Sequence, residues 1–154
     1  ESTKIIKTLS ELFKSVPSVD IDPRGKFKYI QIEVTLKIEG NKETVTFIRG
    51  YARCPYHADV LDEFQTELSD NKLLDDLLYK PSDEKEGVKI RDVLKLRCPG
   101  GGRIQHDPAD KKIFVYGYSQ GFGQPDHSIA TKLIKEAFPA YPSENITWSN
   151  EGYQ

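Results

Sequence analysis

The fold of this chain is decided around residues 49–59, which read RGYARCPYHAD. Residues 43–48, just before this stretch, favour a strand, and the amphipathic pattern of residues 56–68 after it predicts a helix. Pro55 stands where the first helical residue is expected, and its fixed φ angle suits that position. His57 is therefore predicted to lie in the first turn of the helix.

The start of this helix is expected to bind an anion. Its first backbone N–H groups have no acceptor inside the helix, and the positive end of the helix dipole lies there. Arg49 and Arg53 add positive charge within eight residues upstream of His57. An imidazole in this setting indicates acid–base or nucleophilic chemistry on a phosphoryl group. The simpler interpretation is a surface histidine beside solvated arginines.

Composition limits the classes of function. The chain has 154 residues, of which 30% are charged and 37% are apolar, and its net charge is −2. This size predicts one domain with a sizeable core, and the charge provides no basic field for nucleic acid. No apolar run approaches the roughly 20 residues of a membrane span, so no membrane partner is expected. Two cysteines are too few for a disulfide framework, which favours a reducing, cytoplasmic location.

The first half of the chain carries clear helix and strand patterns. Residues 3–16 have an apolar helical stripe, and strands are predicted over residues 19–21, 27–38 and 43–51. Lys28 lies on the otherwise apolar face of the long strand. A lysine in that place either binds a ligand at the rim of the core or extends its amine into solvent, and the sequence leaves both interpretations open.

The second half contains two glycine-rich points. Residues 97–103, RCPGGGR, are the first of these points, and a short strand is predicted to follow over residues 103–106. Residues 119–123, SQGFG, follow a strand predicted over residues 112–118. Two glycines beside a serine favour a tight loop whose backbone N–H groups turn to one side and bind an anion.

A helix and a last strand are predicted to complete the domain. Asp126 is expected to cap a helix whose apolar positions run from residue 129 to 138, and a strand is predicted over residues 146–148. Residues 69–97 carry the weakest pattern, and residues 88–96 fit a strand or a helix equally well.

Spacing disfavours cysteine and metal chemistry. Four residues separate Cys98 from Arg103, one fewer than in the cysteine phosphatase loop, so a thiolate nucleophile is not expected. Cys54 and His57 have a zinc-like spacing, but no second pair of ligands accompanies them.

The two other histidines, His106 and His127, are each expected to be structural when taken alone. His127 carries more weight as a site residue because it follows the 119–123 loop closely.

Motifs along residues 19–153 resemble those of the phosphohistidine phosphatase (janus) family and occur in that family's order. They are VDID at 19–22, FKY at 27–29, IRGY at 48–51, YHAD at 56–59, GGGRI at 100–104, VYGYS at 115–119 and TW at 147–148. Because several separate blocks agree, the match is specific.

The resemblance implies a fold and an activity. The implied fold is α/β, a single domain over residues 1–154 with a mixed, roughly six-stranded sheet flanked by helices. An additional N-terminal helix over residues 1–17 and a variable insertion over residues 69–97 exceed the family's pattern. The implied activity is that of a metal-independent protein phosphatase that needs no cofactor, acts on phosphohistidine and also allows phospholysine. The expected partners are phosphohistidine-containing proteins, and the expected state is a monomer.

The resemblance also implies roles for residues. His57, in the YHAD motif, is the implied catalytic residue, Lys28 binds substrate, and the loop that starts at Ser119 holds the phosphoryl group. Together with the backbone N–H groups of the helix start and the nearby cationic side chains, the predicted substrate-binding set is Lys28, Arg49, Tyr56, Ala58, Arg103, Ser119, Gln120, Gly121 and His127.

Two questions of mechanism stay open at this point. His57 is expected to act as a general base on the attacking water, but a transient phospho-intermediate on its ring fits the same residues. The alternative function is a non-catalytic module that binds phosphorylated residues in the same pocket.

Overall fold

The structure is organised around a six-stranded mixed β-sheet. It is a computed structural model, and it describes residues 15–38, 41–70 and 94–151. The strands are β1 (Val19–Ile21), β2 (Gly25–Ile38), β3 (Asn41–Gly50), β4 (Leu94–Asp107), β5 (Lys112–Tyr116) and β6 (Ile146–Trp148). The described helices are α1 (His57–Ser69), α2 (His127–Ala137) and a 3₁₀ turn, Ser143–Asn145.

The strand order is β1-β3-β2-β4-β5-β6, with the long strand β2 near the centre. β2 pairs antiparallel with β3 and β4, and β4 pairs antiparallel with β5. The edge strands β1 and β6 are parallel to their neighbours. The predicted α/β fold with a mixed sheet is therefore confirmed.

The two α-helices cover opposite faces of the sheet, because successive side chains of a strand point to opposite faces. One face of β2 packs against α1 in a core that includes Ile30, Ile32, Val34, Phe47, Val60 and Phe64. The other face packs against α2 in a core that includes Phe27, Tyr29, Ile48, Ile104, Ala130 and Ile134. Lys28 belongs to the α1 face, as the alternation of β2 predicts.

The strand predicted over residues 103–106 is too short, because β4 includes the whole glycine-rich segment, with one register irregularity against β2 between Arg97 and Gly100. Glycine usually weakens a strand interior, but close packing requires it here. A Cβ atom on Gly102 would lie 2.3 Å from the Tyr116 carbonyl oxygen on β5 and 3.0 Å from the ring of His127. Local propensity therefore predicts the wrong structure at a place where tertiary packing decides.

The start of α2 and the end of β5 are each set by a residue at that position. The Asp126 side chain accepts a hydrogen bond from the Ser128 N–H at 3.0 Å and caps α2, as predicted. β5 ends at Tyr116, two residues before the predicted end, because Gly117 has a φ of +83°, which does not continue a strand.

Two predicted features fall wholly or mostly outside the described residues. They are the N-terminal helix over residues 3–16 and the insertion over residues 69–97, of which only the first two and last four residues are described. Among the described helices, neither is long and apolar enough to cross a lipid bilayer.

Candidate active site

A single cavity collects most of the predicted site residues. Its volume is about 530 Å³, and it lies where the start of α1, the start of β2 and the loop after β5 meet. Its lining residues are Lys28, Pro55, Tyr56, His57, Ala58, Ser119, Gln120, Gly121 and Phe122. The helix start and the SQGFG loop, which are far apart in sequence, therefore face the same space.

The start of α1 presents backbone N–H groups at this cavity. His57 is the first residue of the helix, and Tyr56 is its N-cap, so Pro55 lies one residue before the cap rather than at the predicted first helical position. The Asp59 carboxylate accepts the Tyr56 N–H at 3.0 Å, and the Asp59 N–H donates to the Tyr56 carbonyl at 3.0 Å. The N–H groups of His57 and Ala58 are not used in these capping bonds.

The His57 ring is held in one orientation against β4. Its Nε2 atom lies 2.9 Å from the Gly102 carbonyl oxygen. A carbonyl only accepts hydrogen bonds, so Nε2 carries the proton and Nδ1 of the neutral ring keeps its lone pair. The ring also packs on Gly101, where a Cβ atom would lie 2.7 Å from His57 Cδ2.

The environment favours the neutral form of His57. Burial lowers the pKa of its imidazole, and the positive charges of Lys28 and Arg103 lower it further, while the bond to the Gly102 carbonyl opposes them. A pKa below the ordinary value of about 6.5 leaves the ring neutral at pH 7. A buried, neutral imidazole with its Nδ1 lone pair available can accept a proton.

Two cationic side chains, Lys28 and Arg103, lie near His57. Lys28 is half-buried and lines the cavity, and it sits opposite Arg103 in the β2–β4 ladder. Burial lowers the pKa of Lys28, and the charge of Arg103 lowers it further. Arg103 is not among the lining residues, so its charge acts on the site from the side of Lys28.

The SQGFG loop is closed by its own hydrogen bonds. The N–H of Ser119 donates to the Gly123 carbonyl at 3.0 Å, and the N–H of Gly123 donates to the Ser119 carbonyl at 2.7 Å. The Ser119 hydroxyl accepts the Phe122 N–H at 3.1 Å, and the Gly101 N–H ties the loop to β4 through the Gly123 carbonyl at 3.1 Å. These bonds do not use the N–H groups of Gln120 and Gly121, which lie on the exposed turn.

The structure does not bring Arg49 to the cavity, so the prediction that it binds substrate is wrong. Its side chain is fully buried under α1, where Nε and Nη2 bond the two Glu67 carboxylate oxygens at 3.1 and 3.0 Å. Its guanidinium lies 4.9 Å from the centre of the Phe64 ring and also donates to the Pro17 and Ile48 carbonyls. Arg49 fastens α1 to the sheet and so acts on His57 only through the helix.

His127 is also misassigned as a substrate-binding residue, because it lies on the opposite face of β4 from His57. It is fully buried, its Nε2–H donates to the Gly117 carbonyl at 2.8 Å, and its Nδ1 accepts the Tyr29 hydroxyl proton at 2.6 Å. Burial lowers the pKa of His127 and raises that of Tyr29, so both stay neutral and the bond between them persists. His127 anchors the start of the loop after β5.

The contacts of His106, Cys54 and Cys98 are those of residues that support the fold. His106 is buried and bonds the Asp22 carbonyl at 2.9 Å and the Tyr141 hydroxyl at 2.8 Å, as expected for a structural histidine. Burial raises the pKa values of Cys54 and Cys98 to about 11, so both side chains are thiols at neutral pH. Within the described ranges, no group of three or more His, Cys, Asp or Glu side chains is arranged to hold a metal ion.

Sequence reasoning missed four residues of the site. Gly101 and Gly102 hold and orient the His57 ring, and Pro55 and Phe122 line the cavity. The only sequence signal for the glycines is a glycine run between two strand-like stretches, which local propensity interprets as a break. Pro55 and Phe122 have no signal beyond their places beside His57 and the loop.

Comparison with known proteins identifies relatives. The model of the Janus/Ocnus family matches residues 13–142. The chain is 38% identical to the sex-regulated protein janus-A of Drosophila orena over 97% of this chain and 90% of that protein. It is 38% identical to the 14 kDa phosphohistidine phosphatase of Sus scrofa, over 90% of this chain and 93% of that protein. The human protein of the same name is 36% identical over 90% of this chain and 94% of its own length.

Proposed function

The chain belongs to the Janus/Ocnus family, and we propose that it is a metal-independent protein phosphatase that hydrolyses phosphohistidine. The observation that carries the proposal is the cavity that joins His57, Lys28 and the Ser119 loop. A P–N bond to imidazole is labile because the ring is a good leaving group once protonated. Its hydrolysis needs positioning, charge stabilisation and one proton transfer, and all three fit the groups in this cavity.

His57 is the proposed general base. The Gly102 carbonyl holds the Nε2 proton, so Nδ1 is the atom that accepts a proton from the attacking water. The water oxygen then bonds to phosphorus and the P–N bond breaks. Its electron pair stays on the substrate's ring nitrogen, and because the other ring nitrogen already carries a proton taken up from solvent, the leaving group is a neutral imidazole. The products are inorganic phosphate and histidine, and the His57 proton returns to solvent.

Charge on the phosphoryl oxygens is offset from three sides. We propose that the N–H groups of His57 and Ala58 donate to one part of the phosphoryl group and those of Gln120 and Gly121 to another, as in an oxyanion hole. Lys28 supplies the cation at the rim, with Arg103 behind it. The same groups serve a phospholysine P–N bond, so phospholysine stays a predicted second substrate.

The alternative, a module that only binds phosphorylated residues, fits the site less well. Such a module is expected to place Arg or Lys against the phosphoryl group, where bidentate or charge-assisted bonds are strongest. Here the residue at the helix start is a buried imidazole with a lowered pKa and an oriented Nδ1. Those features serve proton transfer and add nothing to simple binding.

The proposed function is tested by phosphate release from a phosphohistidine peptide. Turnover is expected with the purified chain in excess chelator, because proton transfer and charge stabilisation come from protein groups. Activity that is lost with chelator and restored by a metal ion would contradict metal independence, which stays a prediction.

The two cysteines are free thiols, which suits the predicted cytoplasmic location.

Cys54→Ser and Cys98→Ser are each expected to keep turnover within about threefold of the wild type, because a thiol with a raised pKa is not a nucleophile. The effect on stability is expected to be small to moderate, since both side chains contact the core under α1. Initial rates of the two variants check this prediction. Loss of turnover in a variant that stays folded would revive a thiolate mechanism.

Lys28→Ala is expected to raise KM for a phosphohistidine peptide about tenfold or more, the loss that follows from removing one charged hydrogen bond. Lys26→Ala is the matched control, because Lys26 lies on the same face of β2, is exposed and does not line the cavity. Kinetics of both variants measure the difference. If KM and kcat are the same for Lys28→Ala and Lys26→Ala, the Lys28 amine only extends into solvent and does not bind substrate.

The His57 ring is expected to titrate below about pH 6.5, because burial and the neighbouring cations lower its pKa. Lys28→Ala should raise this pKa, since one of those cations is removed. Because the pKa of His57 is lower in the folded chain than in the unfolded chain, the unfolded chain binds the proton more tightly. The free energy of unfolding therefore includes the His57 contribution above about pH 6.5 and loses it as the pH falls through the lowered pKa.

NMR titration of the imidazole signals checks this prediction, and the chain has only three histidines to assign. Lys26→Ala again serves as the control and should leave the His57 midpoint in place. A His57 midpoint at or above that of a free histidine would contradict the proposed neutral base.

A further inference from the structure

We infer that the Tyr56 side chain binds the imidazole ring of the substrate and selects phosphohistidine over phosphorylated residues that lack a ring. This inference rests on the proposed function, because it concerns what surrounds the phosphoryl group in the same cavity. The hydrogen bonds between Tyr56 and Asp59 that cap α1 use the backbone N–H and carbonyl of Tyr56.

The cavity is larger than a phosphoryl group needs. Its volume of about 530 Å³ lies in the range of pockets that hold small organic molecules. Its lining residues include the polar Lys28, His57 and Ser119 and three residues that carry rings, Pro55, Tyr56 and Phe122. A ligand that carries a phosphoryl group on an aromatic ring matches both sets of residues.

Tyr56 is the member of this ring set that is best placed to contact a ligand. Its exposed fraction is 69%, the largest among the exposed large hydrophobic side chains that the structure describes. Phe122, in contrast, is partly buried and packs against the core under α1. The Tyr56 backbone is fixed by two hydrogen bonds to Asp59, so the ring is presented from a rigid support. A tyrosine ring has few rotatable bonds, so holding it against a ligand costs little conformational entropy.

A phosphoryl group bound at the start of α1 would bring the substrate ring close to Tyr56. In phosphohistidine the imidazole is attached directly to phosphorus, so a phosphoryl group at the start of α1 puts the ring at the rim. Tyr56 is the residue directly before His57 and lines that rim. In phosphoserine the atom attached to the phosphoryl oxygen is a single aliphatic carbon, which offers no face for stacking. A ring–ring contact of this kind corresponds to about a 2- to 10-fold gain in affinity.

Two phosphonates that differ only in the ring separate this contact from phosphoryl binding. Phenylphosphonate and methylphosphonate are compared at a pH well above the second pKa of both, where each is a dianion, and NMR of the His57 ring C–H signals reports the affinity of each. The wild type, Tyr56→Phe and Tyr56→Ala are compared, since phenylalanine keeps the ring and alanine removes it. Circular dichroism confirms that α1 is retained in each variant.

The wild type and Tyr56→Phe are expected to bind phenylphosphonate about 2- to 10-fold more tightly than methylphosphonate. Tyr56→Ala should lose this preference and keep its affinity for methylphosphonate. With a phosphohistidine peptide, Tyr56→Ala should raise KM by the same factor and leave kcat nearly unchanged, because the contact binds substrate and transition state alike.

Two results would overturn the inference. One is a wild type that shows no preference for the ring, and the other is a preference that survives in Tyr56→Ala. If the wild type hydrolyses phosphohistidine in either case, the proposed function stands and only the role of Tyr56 is refuted. If the wild type binds neither phosphonate and releases no phosphate, the proposed function and the inference both fail.

Discussion

Replacing His57 with alanine is expected to lower phosphohistidine turnover by about 10²–10⁴-fold, the contribution of a positioned general base. The reason is the geometry of one side chain: the Gly102 carbonyl holds Nε2 at 2.9 Å, which leaves Nδ1 to accept the proton of the attacking water. Alanine supports the first turn of α1 without the imidazole, and the Tyr56–Asp59 cap does not depend on the ring. The chain should therefore stay folded while kcat falls.

Gln120→Ala is the matched control for this experiment. Gln120 lines the same cavity and is exposed, and its proposed contribution is a backbone N–H, which alanine retains. Its turnover should stay within a few-fold of the wild type. Near-normal kcat in His57→Ala would exclude His57 as the base, whatever the behaviour of the control.

Gly101→Ala is expected to damage both stability and turnover. Its Cβ atom would lie 2.6 Å from the Tyr29 carbonyl oxygen of the neighbouring strand and 2.7 Å from His57 Cδ2. The first clash is with backbone, so the strands must shift, at a cost of roughly 1–3 kcal/mol. The second displaces the His57 ring from its bond to Gly102, and a misplacement of this size can cost about 10²-fold in rate.

Gly121→Ala is the matched control for Gly101→Ala, because it adds the same methyl group at a position where there is room for it. No atom lies within 4 Å of the Cβ that it would gain, and Gly121 is not among the described glycines with positive φ. Denaturant unfolding and initial rates of both variants are the measurements. Gly121→Ala should resemble the wild type, and a Gly101→Ala variant with wild-type stability and rate would refute the packing of His57 against β4.

Much of the fold could be predicted because its patterns are local. The alternation of β2 identifies both faces of the sheet and places Lys28 on the α1 face, and Asp126 marks the start of α2. β4 could not be predicted in the same way. Its glycines serve contacts with His57 on one face and His127 on the other, and these contacts depend on residues far away in sequence.

The residues that share the cavity could be predicted where a motif and a backbone feature coincide. His57, Ala58 and the Ser119 loop lie together because a helix start and a tight loop each have recognisable sequence signals. The prediction that Arg49 binds substrate is wrong because a charge that is near an anion site in sequence need not contact it. Its alternation with Phe47 already places it on the α1 face, and its partner Glu67 is a distant position on the helix.

The prediction that His127 binds substrate is wrong for a related reason. Nearness in sequence to the Ser119 loop does not tell which side of the sheet a side chain occupies. The deciding partner is Tyr29, which points away from Lys28 because the two residues are adjacent on β2.

The most direct test of the central claim is the number of phosphate ions that one chain releases. A phosphohistidine peptide in large molar excess is incubated with limiting wild-type chain, with His57→Ala and without protein, to correct for spontaneous hydrolysis. An enzyme is predicted to release many phosphate ions per chain at a rate proportional to its concentration, with His57→Ala near the protein-free rate. Saturable binding of the peptide by the wild type with no release above the protein-free rate would contradict the claim and identify a binding module.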